Sequence, residues 1–314
     1  MYIGIDIGGT KCAVVYGDEK GNILSKERFD TTNVNETIDN IFSAVARCGR
    51  ADAIGVSCGG PLDSQRGVIL SPPNLPGWDE IYIVKMLEER FGIPAAIEND
   101  ANACALAEFT YGAGRGCRNM VFFTFGTGLG AGLILDGRLY RGTNGMAGEA
   151  GHIRLSDFGP VGYGKAGSFE GFCSGGGIAQ LGRMKALEAF GQGKNTAFCK
   201  TMDDLDSITA KKIADCAKEG DELSKEIYRI CGRKMGYGLS IIADILNPEK
   251  IVLGSIYPRA KELLEESINE VMKEETLSYS YNVCSVVGAE FGESIGDFAA
   301  LAVAANLIKE RKNA

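Results

Sequence analysis

The stretch Asp6-Ile7-Gly8-Gly9-Thr10-Lys11 lies between two short apolar segments at the start of the chain. Tyr2 to Asp6 and Cys12 to Tyr16 have the composition of buried β-strands, so the glycines between them predict a tight turn. A strand follows this turn, which excludes a Walker P-loop because that motif has a different spacing and precedes a helix. Glycines lack a Cβ atom, so their amides can approach an anion closely. The stretch is therefore a candidate phosphate-binding turn, although a plain hairpin has the same pattern.

A second copy of this arrangement begins at Met120. Met120 to Phe125 and Ala131 to Leu135 are apolar segments of strand type, and Gly126-Thr127-Gly128-Leu129-Gly130 forms the turn between them. Two such turns in equivalent places favour an architecture duplicated around a nucleotide. Asp6 is expected to hold Mg²⁺ through water. The predicted nucleotide-binding residues in the two turns are Asp6, Gly8, Gly9, Thr10, Lys11, Gly126, Thr127, Gly128 and Gly130.

The segment Ile97-Glu98-Asn99-Asp100-Ala101-Asn102 joins an apolar run to a predicted helix, Ala103 to Tyr111. Asn and Asp are the residues that most often cap a helix N-terminus, so Asn99 or Asp100 suits that structural role. A carboxylate at the end of a strand is also well placed to act as a general base. The segment alone leaves both interpretations of Asp100 open.

Length and composition restrict the class of protein. A chain of 314 residues exceeds the usual size of one hydrophobic core and predicts two α/β lobes with a cleft between them. The net charge of −8 argues against nucleic acid as the main partner. The ten cysteines are scattered without a C-x-x-C pair, as expected of reduced thiols. No leader or long apolar run is evident, so we expect a cytoplasmic protein that does not bind membranes.

Six motifs, taken in their order along the chain, resemble those of the ROK family of sugar kinases, within the hexokinase and actin-like ATPase superfamily. They are the two glycine turns, Gly60-Pro61 with Asn74, the segment Glu98 to Asn102, Gly148-Glu149-Ala150-Gly151-His152, and Gly254. The resemblance covers nearly the whole chain. It implies an α/β fold of the two-lobed actin-like ATPase (ribonuclease H-like) type, with duplicated mixed β-sheet domains. The expected lobes are 1–117 plus 298–314 and 118–297.

The resemblance also implies the role of single residues. Asp100 matches the catalytic base, and Gly254 matches a position on the adenosine side. The residues expected in the sugar site are Gly60, Asn74, Asn99, Glu149, His152 and Glu170. Carboxylates and amides suit a sugar because they can accept from, or donate to, neighbouring hydroxyls. His152 is the single histidine, and a lone histidine is more often structural, but its motif favours the site.

The chain departs from the family in the segment 161–170, which reads Val-Gly-Tyr-Gly-Lys-Ala-Gly-Ser-Phe-Glu. Relatives commonly have C-x-C-G-x-x-G-C-x-E here, and the three thiolates hold a structural zinc together with the histidine. One imidazole cannot hold tetrahedral zinc, and Cys173 alone does not restore the site. We therefore predict no structural zinc, with packing of Tyr163 and Phe169 in its place. A milder departure is Ser255, where the family usually has a second glycine after Gly254.

The implied reaction is ATP- and Mg²⁺-dependent phosphorylation of a hexose primary hydroxyl, most simply that of a glucokinase, by a homodimer. Mannose, fructose, allose, N-acetylmannosamine, N-acetylglucosamine or a β-glucoside fits the same motifs. A non-catalytic, sugar-responsive ROK regulator is the alternative from another class. Such regulators carry a helix-turn-helix before this fold, and we expect none here, because the predicted first strand begins at Tyr2. A filament-forming actin-like ATPase is a third possibility, which the Glu149 and His152 motif disfavours.

Overall fold

The computed structural model describes residues 1–313, and their side chains as far as Lys312. The strands of this part of the chain are β1 Tyr2–Ile7, β2 Lys11–Gly17, β3 Ile23–Asp30, β4 Ala53–Cys58, β5 Leu62–Asp63, β6 Val68–Ile69, β7 Ala95–Asn99, β8 Met120–Phe123, β9 Ala131–Leu135, β10 Arg138–Leu139, β11 Val161–Gly162, β12 Lys165–Ala166, β13 Lys250–Leu253 and β14 Ser285–Gly288. The helices are α1 Val34–Arg47, α2 Ile83–Phe91, α3 Asp100–Thr110, α4 Phe169–Phe172, α5 Gly175–Gly191, α6 Ala210–Lys218, α7 Glu222–Leu246, α8 Ile256–Arg259, α9 Lys261–Glu275, α10 Ser278–Tyr281 and α11 Ile295–Asn313. Short 3₁₀ turns lie at Ala150–His152, Met202–Ser207 and Gly292–Ser294.

The chain divides into two compact units. Unit 1 comprises Met1–Arg118, Gly132–Ala147 and the segment from Glu290 onward, and unit 2 comprises Asn119–Ala131 and Gly148–Ala289. These units place residues 132–147 and 290–297 with the N-terminal chain, whereas the predicted lobe boundaries assign them to the second lobe. A division into compact units does not by itself define the lobes, so the predicted lobe boundaries stay a prediction.

The main sheet of unit 1 has the strand order β3-β2-β1-β4-β7. β1 pairs antiparallel with β2 and parallel with β4, and β4 pairs parallel with β7. Side chains alternate along β1, so Ile3, Ile5 and Ile7 enter the core that α1 and α2 cover. Gly4 faces the other side, where a Cβ atom would lie only 2.8 Å from the backbone nitrogen of Leu301 in α11. This alternation puts Asp6 on the α11 side of the sheet, at the carboxyl end of β1.

Unit 2 contains a parallel run of strands, with β13 paired to β8 on one side and to β14 on the other. Its longest helix is α7, which contains Gly232, Gly236 and Gly238 although glycine disfavours helices. Cβ atoms at Gly232 and Gly236 would collide with Ser267 and Val271 of α9, and one at Gly238 would collide with the ring of Phe169. The glycines thus permit close packing around an unbroken helix.

The repeat predicted from the sequence is present in the backbone of both units. In unit 1 the first glycine turn follows β1, which runs parallel to β4 and β7. In unit 2 the second glycine turn follows β8, which runs parallel to β13. No helix in the described part of the chain is both long and apolar enough to span a lipid bilayer.

Candidate active site

The first glycine turn is closed by a hydrogen bond from the Gly8 N–H to the Lys11 carbonyl oxygen, 3.1 Å long. The N–H groups of Gly9 and Thr10 have no partner among the described residues, and Thr10 is exposed. Two neighbouring free amides are the arrangement that a phosphate oxygen requires. The Cβ direction of Gly9 is not open to a ligand, because a Cβ atom there would overlap the carbonyl oxygen of Asn74. Gly9 is thus needed for protein packing, a reason that the turn motif did not reveal.

Asp6 lies beside this turn, and several charged side chains act on its carboxylate. Desolvation, followed by the nearby carboxylates of Asp297 and Asp100, raises the pKa of Asp6 to about 6. Lys26 and Arg28 oppose this shift, and Lys26 pairs with Asp297 at 2.5 Å. A carboxylate that is costly to ionise in the free protein gains most from an added cation, so Asp6 fits the predicted contact with hydrated Mg²⁺.

Asn74 lies at the tip of a short loop that its apolar neighbours hold in place. Leu75 and Trp78 are each 1% exposed, and the Trp78 carbonyl oxygen accepts from the Ser71 N–H at 3.0 Å. The exposed Asn74 side chain lies close to Gly59, where a Cβ atom would be 3.6 Å from its amide nitrogen. The structure therefore brings Asn74, the Gly59-Gly60 loop and the first glycine turn together within unit 1.

Asn99 and Asp100 divide the two roles that the sequence left open. Asn99 is the N-cap of α3, and its side-chain oxygen accepts from the Asn102 N–H at 2.8 Å. Asp100 is the first residue of the helix, and its Oδ1 atom accepts from the Ala101 N–H at 2.8 Å, which leaves its second oxygen, Oδ2, without a donor among the described residues. The side chain is exposed, yet the protein atoms around it displace enough water to raise the pKa of Asp100. An accessible carboxylate with a raised pKa is suited to general-base catalysis.

Behind Asp100 lies an ion pair that the sequence analysis missed. Glu98 is 3% exposed, and its carboxylate accepts from Arg141 Nε at 2.5 Å and from Asn102 Nδ2 at 3.2 Å. Arg141 also donates to Glu310 in α11 at 3.1 Å. Because 43 residues separate Glu98 and Arg141, local sequence contains no signal for this pair.

The second glycine turn also presents two free amides. The Thr124 N–H donates to the Gly130 carbonyl oxygen at 2.9 Å, and the Gly130 N–H donates back to Thr124 Oγ1 at 3.0 Å. Inside this closed turn, the N–H groups of Thr127 and Gly128 have no partner in the described part of the chain. The turn is strained, because the buried Phe125 has φ 33°.

Glu170 is in direct contact with this second turn. Its Oε2 atom accepts from the Leu129 N–H at 3.0 Å. Gly151, in the 3₁₀ turn between Glu149 and His152, lies against the Leu129 carbonyl oxygen, only 2.5 Å from where a Cβ atom would be. Unit 2 thus places Glu170 and the 3₁₀ turn that follows Glu149 and ends at His152 against the second glycine turn.

Hydrogen bonds hold the segment 161–170, where the family resemblance implies a zinc site. β11 and β12 form a hairpin, and Gln180 binds both backbone polar groups of Val161, at 2.8 and 2.9 Å. Lys165 Nζ donates to the His152 carbonyl oxygen at 2.7 Å. Ser168, at a former thiolate position, caps α4 by accepting from the Gly171 N–H at 3.0 Å.

The predicted packing of Tyr163 and Phe169 is half wrong. Phe169 is fully buried against Phe123, with ring centroids 5.7 Å apart. Tyr163 is 85% exposed because it forms the tip of the hairpin at φ 45°, where its ring makes a T-shaped contact with His152, with centroids 5.2 Å apart. In the part of the chain that the structure describes, no three His, Cys, Asp or Glu side chains are arranged to hold a metal ion together.

Two further features of the second turn were not found from the sequence. The N-terminus of α5 lies directly behind it, since the Gly175 N–H donates to the Gly126 carbonyl oxygen at 2.7 Å. Ser255 lies on another side, with its Oγ atom 3.6 Å from where a Cβ atom of Gly126 would be. Ser255 has φ 45°, a conformation that favours glycine, the residue that the family resemblance implies at this position. Gly254 is buried against the carbonyl oxygens of Phe123 and Thr124.

Comparison with known proteins finds both sugar kinases and repressors among the relatives of this chain. The glucokinase of Streptomyces coelicolor is 34% identical to this chain over 99% of the chain and 98% of that protein. The xylose repressor of Caldicellulosiruptor bescii is 28% identical over 90% of this chain and 72% of that protein. Catalytic and regulatory proteins thus both occur among the relatives.

Solved structures agree with the fold. The ROK hexokinase of Thermus thermophilus matches with a TM-score of 0.82 and 29% identity, over 98% of this chain and 99% of that one. The ROK family glucokinase of Streptomyces griseus, solved with glucose and AMPPNP, matches with a TM-score of 0.74 and 31% identity, over 96% and 98%. The predicted α/β fold of the actin-like ATPase type is confirmed by these matches. The ROK family pattern itself matches residues 2–310, and this chain therefore belongs to the ROK family.

Proposed function

We propose that this protein is an ATP-dependent sugar kinase of the glucokinase type, which transfers the γ-phosphoryl group of ATP to the primary hydroxyl of a hexose. The observation that carries the proposal is the exposed residue Asp100, which follows the N-cap Asn99, binds a helix amide through only one carboxylate oxygen and has its pKa raised by desolvation. The glucokinase relatives, one of them solved with glucose and AMPPNP, support glucose as the acceptor.

Unit 1 would supply the charged groups of the reaction. Asp100 would take the proton of the sugar hydroxyl as that oxygen attacks phosphorus, and Asp6 would hold the Mg²⁺ that arrives with ATP, through water. General-base assistance contributes on the order of 10²–10⁴ in rate. The free amides of Gly9 and Thr10 would bind phosphate oxygens.

Unit 2 would supply mostly neutral contacts to the nucleotide and most of the sugar ligands. The free amides of Thr127 and Gly128 suit phosphate oxygens, and the N-terminus of α5 adds a favourable field behind them. Glu149, His152 and Glu170 would accept from or donate to sugar hydroxyls. Phosphoryl transfer depends mainly on positioning and charge stabilisation, which these groups, the base and the Mg²⁺ of the nucleotide would supply.

A sugar-responsive regulator is the second candidate, because repressors occur among the relatives. Sugar binding alone does not require an accessible base, so the exposed Asp100 favours catalysis. A regulator would bind the sugar without producing ADP. The other acceptors compatible with the motifs are mannose, fructose, allose, N-acetylmannosamine, N-acetylglucosamine and β-glucosides.

We propose that the protein contains no structural zinc and that it forms a homodimer. The hydrogen bonds of Lys165 and Gln180 support the first proposal, because they hold the hairpin that zinc anchors in relatives. Exposed apolar side chains at Ile245 on α7, at Leu277 and at Tyr279 on α10 support the second, since a partner copy would cover them.

The experiment that tests the proposed function is a kinase assay coupled to ADP production, run with Mg²⁺·ATP over these hexoses. ADP formed in proportion to glucose, together with glucose 6-phosphate in the product, is expected. Calorimetric binding of a sugar without ADP production would support the regulator instead. Preference for another hexose would leave the kinase in place and replace glucose as the acceptor.

A further inference from the structure

Both glycine turns are in contact with residues predicted to bind the sugar. In unit 1 a Cβ atom on Gly9 would overlap the backbone of Asn74. In unit 2 a Cβ atom on Gly128 would lie 2.8 Å from Glu170 Oε2, closer than real Cβ contacts allow. Within each unit, the glycine turn is therefore packed directly against a predicted sugar ligand, and a change in the shape of one would displace the other.

The contact in unit 2 involves a carboxylate and is the sharper of the two. Glu170 Oε2 accepts from the Leu129 N–H at 3.0 Å, so one carboxylate oxygen belongs to the glycine turn. No described residue donates to the other oxygen, Oε1, which leaves it for a ligand. A carboxylate is planar, so any rotation that moves Oε2 away from the turn also moves Oε1.

The backbone of Glu170 has no room to retreat. It lies in α4, which Ser168 caps and which Phe169 anchors in the core. A Cβ atom on Gly162 would lie 2.9 Å from the Glu170 Cβ atom, and one on Gly177 would lie 3.0 Å from its carbonyl oxygen. A side chain placed on Gly128 can therefore be accommodated only by rotation of the Glu170 carboxylate.

We propose that Glu170 binds the sugar and the second glycine turn at the same time, so that Gly128 is a positioning residue for the sugar as well as part of the phosphate turn. This inference rests on the proposed function, which makes Glu170 a sugar ligand. A sugar hydroxyl bound to Oε1 would fix the carboxylate and, through Oε2, the Leu129 amide beside the free amides of Thr127 and Gly128. Bound sugar would therefore increase the affinity of the turn for the nucleotide. By linkage, bound nucleotide would increase the affinity for the sugar by the same factor.

The test compares two alanine variants in the same turn by calorimetry with glucose and no nucleotide. Gly128→Ala is expected to weaken glucose binding about ten- to a hundred-fold, the equivalent of a lost hydrogen bond to a charged group. Gly126→Ala is the matched control, because its Cβ atom would be in ordinary contact, 3.6 Å from Ser255 Oγ. It is expected to leave glucose binding unchanged, whatever its effect on ATP.

Two results would overturn the inference. Glucose affinity unchanged in Gly128→Ala, with only the KM for ATP raised, would confine this glycine to the phosphate. Additive effects of Gly128→Ala and Glu170→Gln would show that the glycine does not act through the carboxylate, since residues that act through each other are not additive.

A separate measurement covers the case in which Gly128→Ala does not fold. Glu170→Ala is expected to weaken binding of Mg²⁺·AMPPNP several-fold in the absence of sugar, because the Leu129 amide loses its acceptor, and unchanged nucleotide affinity would contradict the coupling. A wild-type protein that neither binds nor phosphorylates any hexose would remove the proposed function and this inference with it. A wild-type kinase whose Gly128→Ala variant binds glucose normally would remove the inference alone.

Discussion

The two glycine turns have the same backbone arrangement and different chemistry. Each follows a strand that is paired in parallel with others, each leaves two neighbouring amides free, and each is packed against a predicted sugar residue. The turn of unit 1 is surrounded by ionisable groups, since Asp6 interacts with Asp100, Asp297, Lys26 and Arg28. The turn of unit 2 is surrounded by a helix N-terminus, by strained backbone and by one carboxylate that binds it.

This difference indicates how a duplicated fold becomes an asymmetric catalyst. Backbone amides would bind phosphate in either copy, because that function needs only the turn. Proton transfer and metal binding need side chains, and the candidates for both are in unit 1. Substitutions in unit 1 should therefore affect the rate and the pH dependence of activity and of stability, whereas those in unit 2 should affect ligand affinity and stability at any pH.

The largest effect is expected for the base. Asp100→Asn should lower kcat by about 10²–10⁴ while leaving the Kd for the sugar nearly unchanged, because the lost function operates in the transition state. Steady-state kinetics and calorimetry measure the two quantities. In the wild type, kcat should fall as the pH falls, with a midpoint above the ordinary pKa of aspartate, because desolvation raises the pKa of Asp100.

Asn99→Ala serves as the control for the structural role of this segment. It removes the N-cap of α3 and should lower the free energy of unfolding by about 1 kcal/mol, whereas Asp100→Asn keeps an oxygen that can accept from the Ala101 N–H and should cost less. If Asp100→Ala retains more than about a tenth of the wild-type kcat, the loss is too small for a general base. In that case Asp100 would be a helix N-terminal residue and no more.

The second prediction concerns the free energy of unfolding, which ionisation of Asp6 in unit 1 should lower. The pKa of Asp6 is raised from 3.8 to about 6, so between these values the unfolded chain is ionised and the folded chain is not. Ionisation of Asp6 therefore destabilises the folded state as the pH rises through this window, by at most about 3 kcal/mol above pH 6. Asp6→Asn should abolish activity and raise the free energy of unfolding at pH 7.

Denaturant unfolding at two pH values checks this interpretation. At about pH 4 and below, Asp6 is neutral in the folded state, so the gain from Asp6→Asn should disappear. A gain of equal size at both pH values would indicate a packing effect unrelated to charge. A loss of stability at pH 7 would show that Lys26 and Arg28 outweigh the desolvation of Asp6.

The repeat and the fold were predictable because their signals are local. Alternating apolar residues and a glycine turn identify each strand–turn–strand segment without knowledge of its neighbours. The start of α3 was less certain, since Asn99 and Asp100 both suit a cap. The helix begins at Asp100, three residues before the predicted segment.

What the sequence could not reveal are contacts between distant residues. The Glu98–Arg141 pair and the contact of Leu129 with Glu170 join residues 43 and 41 positions apart. Nothing in either local pattern specifies the partner. The packing predicted for Tyr163 failed for a related reason, because an aromatic residue suggests burial until the hairpin that exposes it is known.

The third prediction concerns the strained backbone around the second turn. Ser255 has φ 45°, and glycine adopts this conformation without a steric cost. Ser255→Gly should raise the free energy of unfolding by about 1 kcal/mol. Asn247→Gly is the matched control, since Asn247 also has φ 45° but asparagine tolerates it as a helix C-cap, so its gain should be smaller. Equal gains would mean that Ser255 is not specially strained.

The smallest effect is expected for zinc, because we propose that hydrogen bonds hold the segment 161–170 without a metal. Val161, Tyr163 and Ser168 cannot supply thiolates, and the hairpin they belong to is held by Lys165 and Gln180. Treatment with a zinc-selective chelator should therefore change neither activity nor Tm, provided that Mg²⁺ is present. Elemental analysis should find no stoichiometric zinc. The control is the triple variant Val161→Cys, Tyr163→Cys and Ser168→Cys, which restores the pattern of the relatives beside His152 and should bind about one zinc per chain. Tightly bound zinc in the wild type, or inactivation by a chelator that zinc reverses, would show that ligands from outside this segment complete a site. In that case the hydrogen bonds of Lys165 and Gln180 would support a metal rather than replace it.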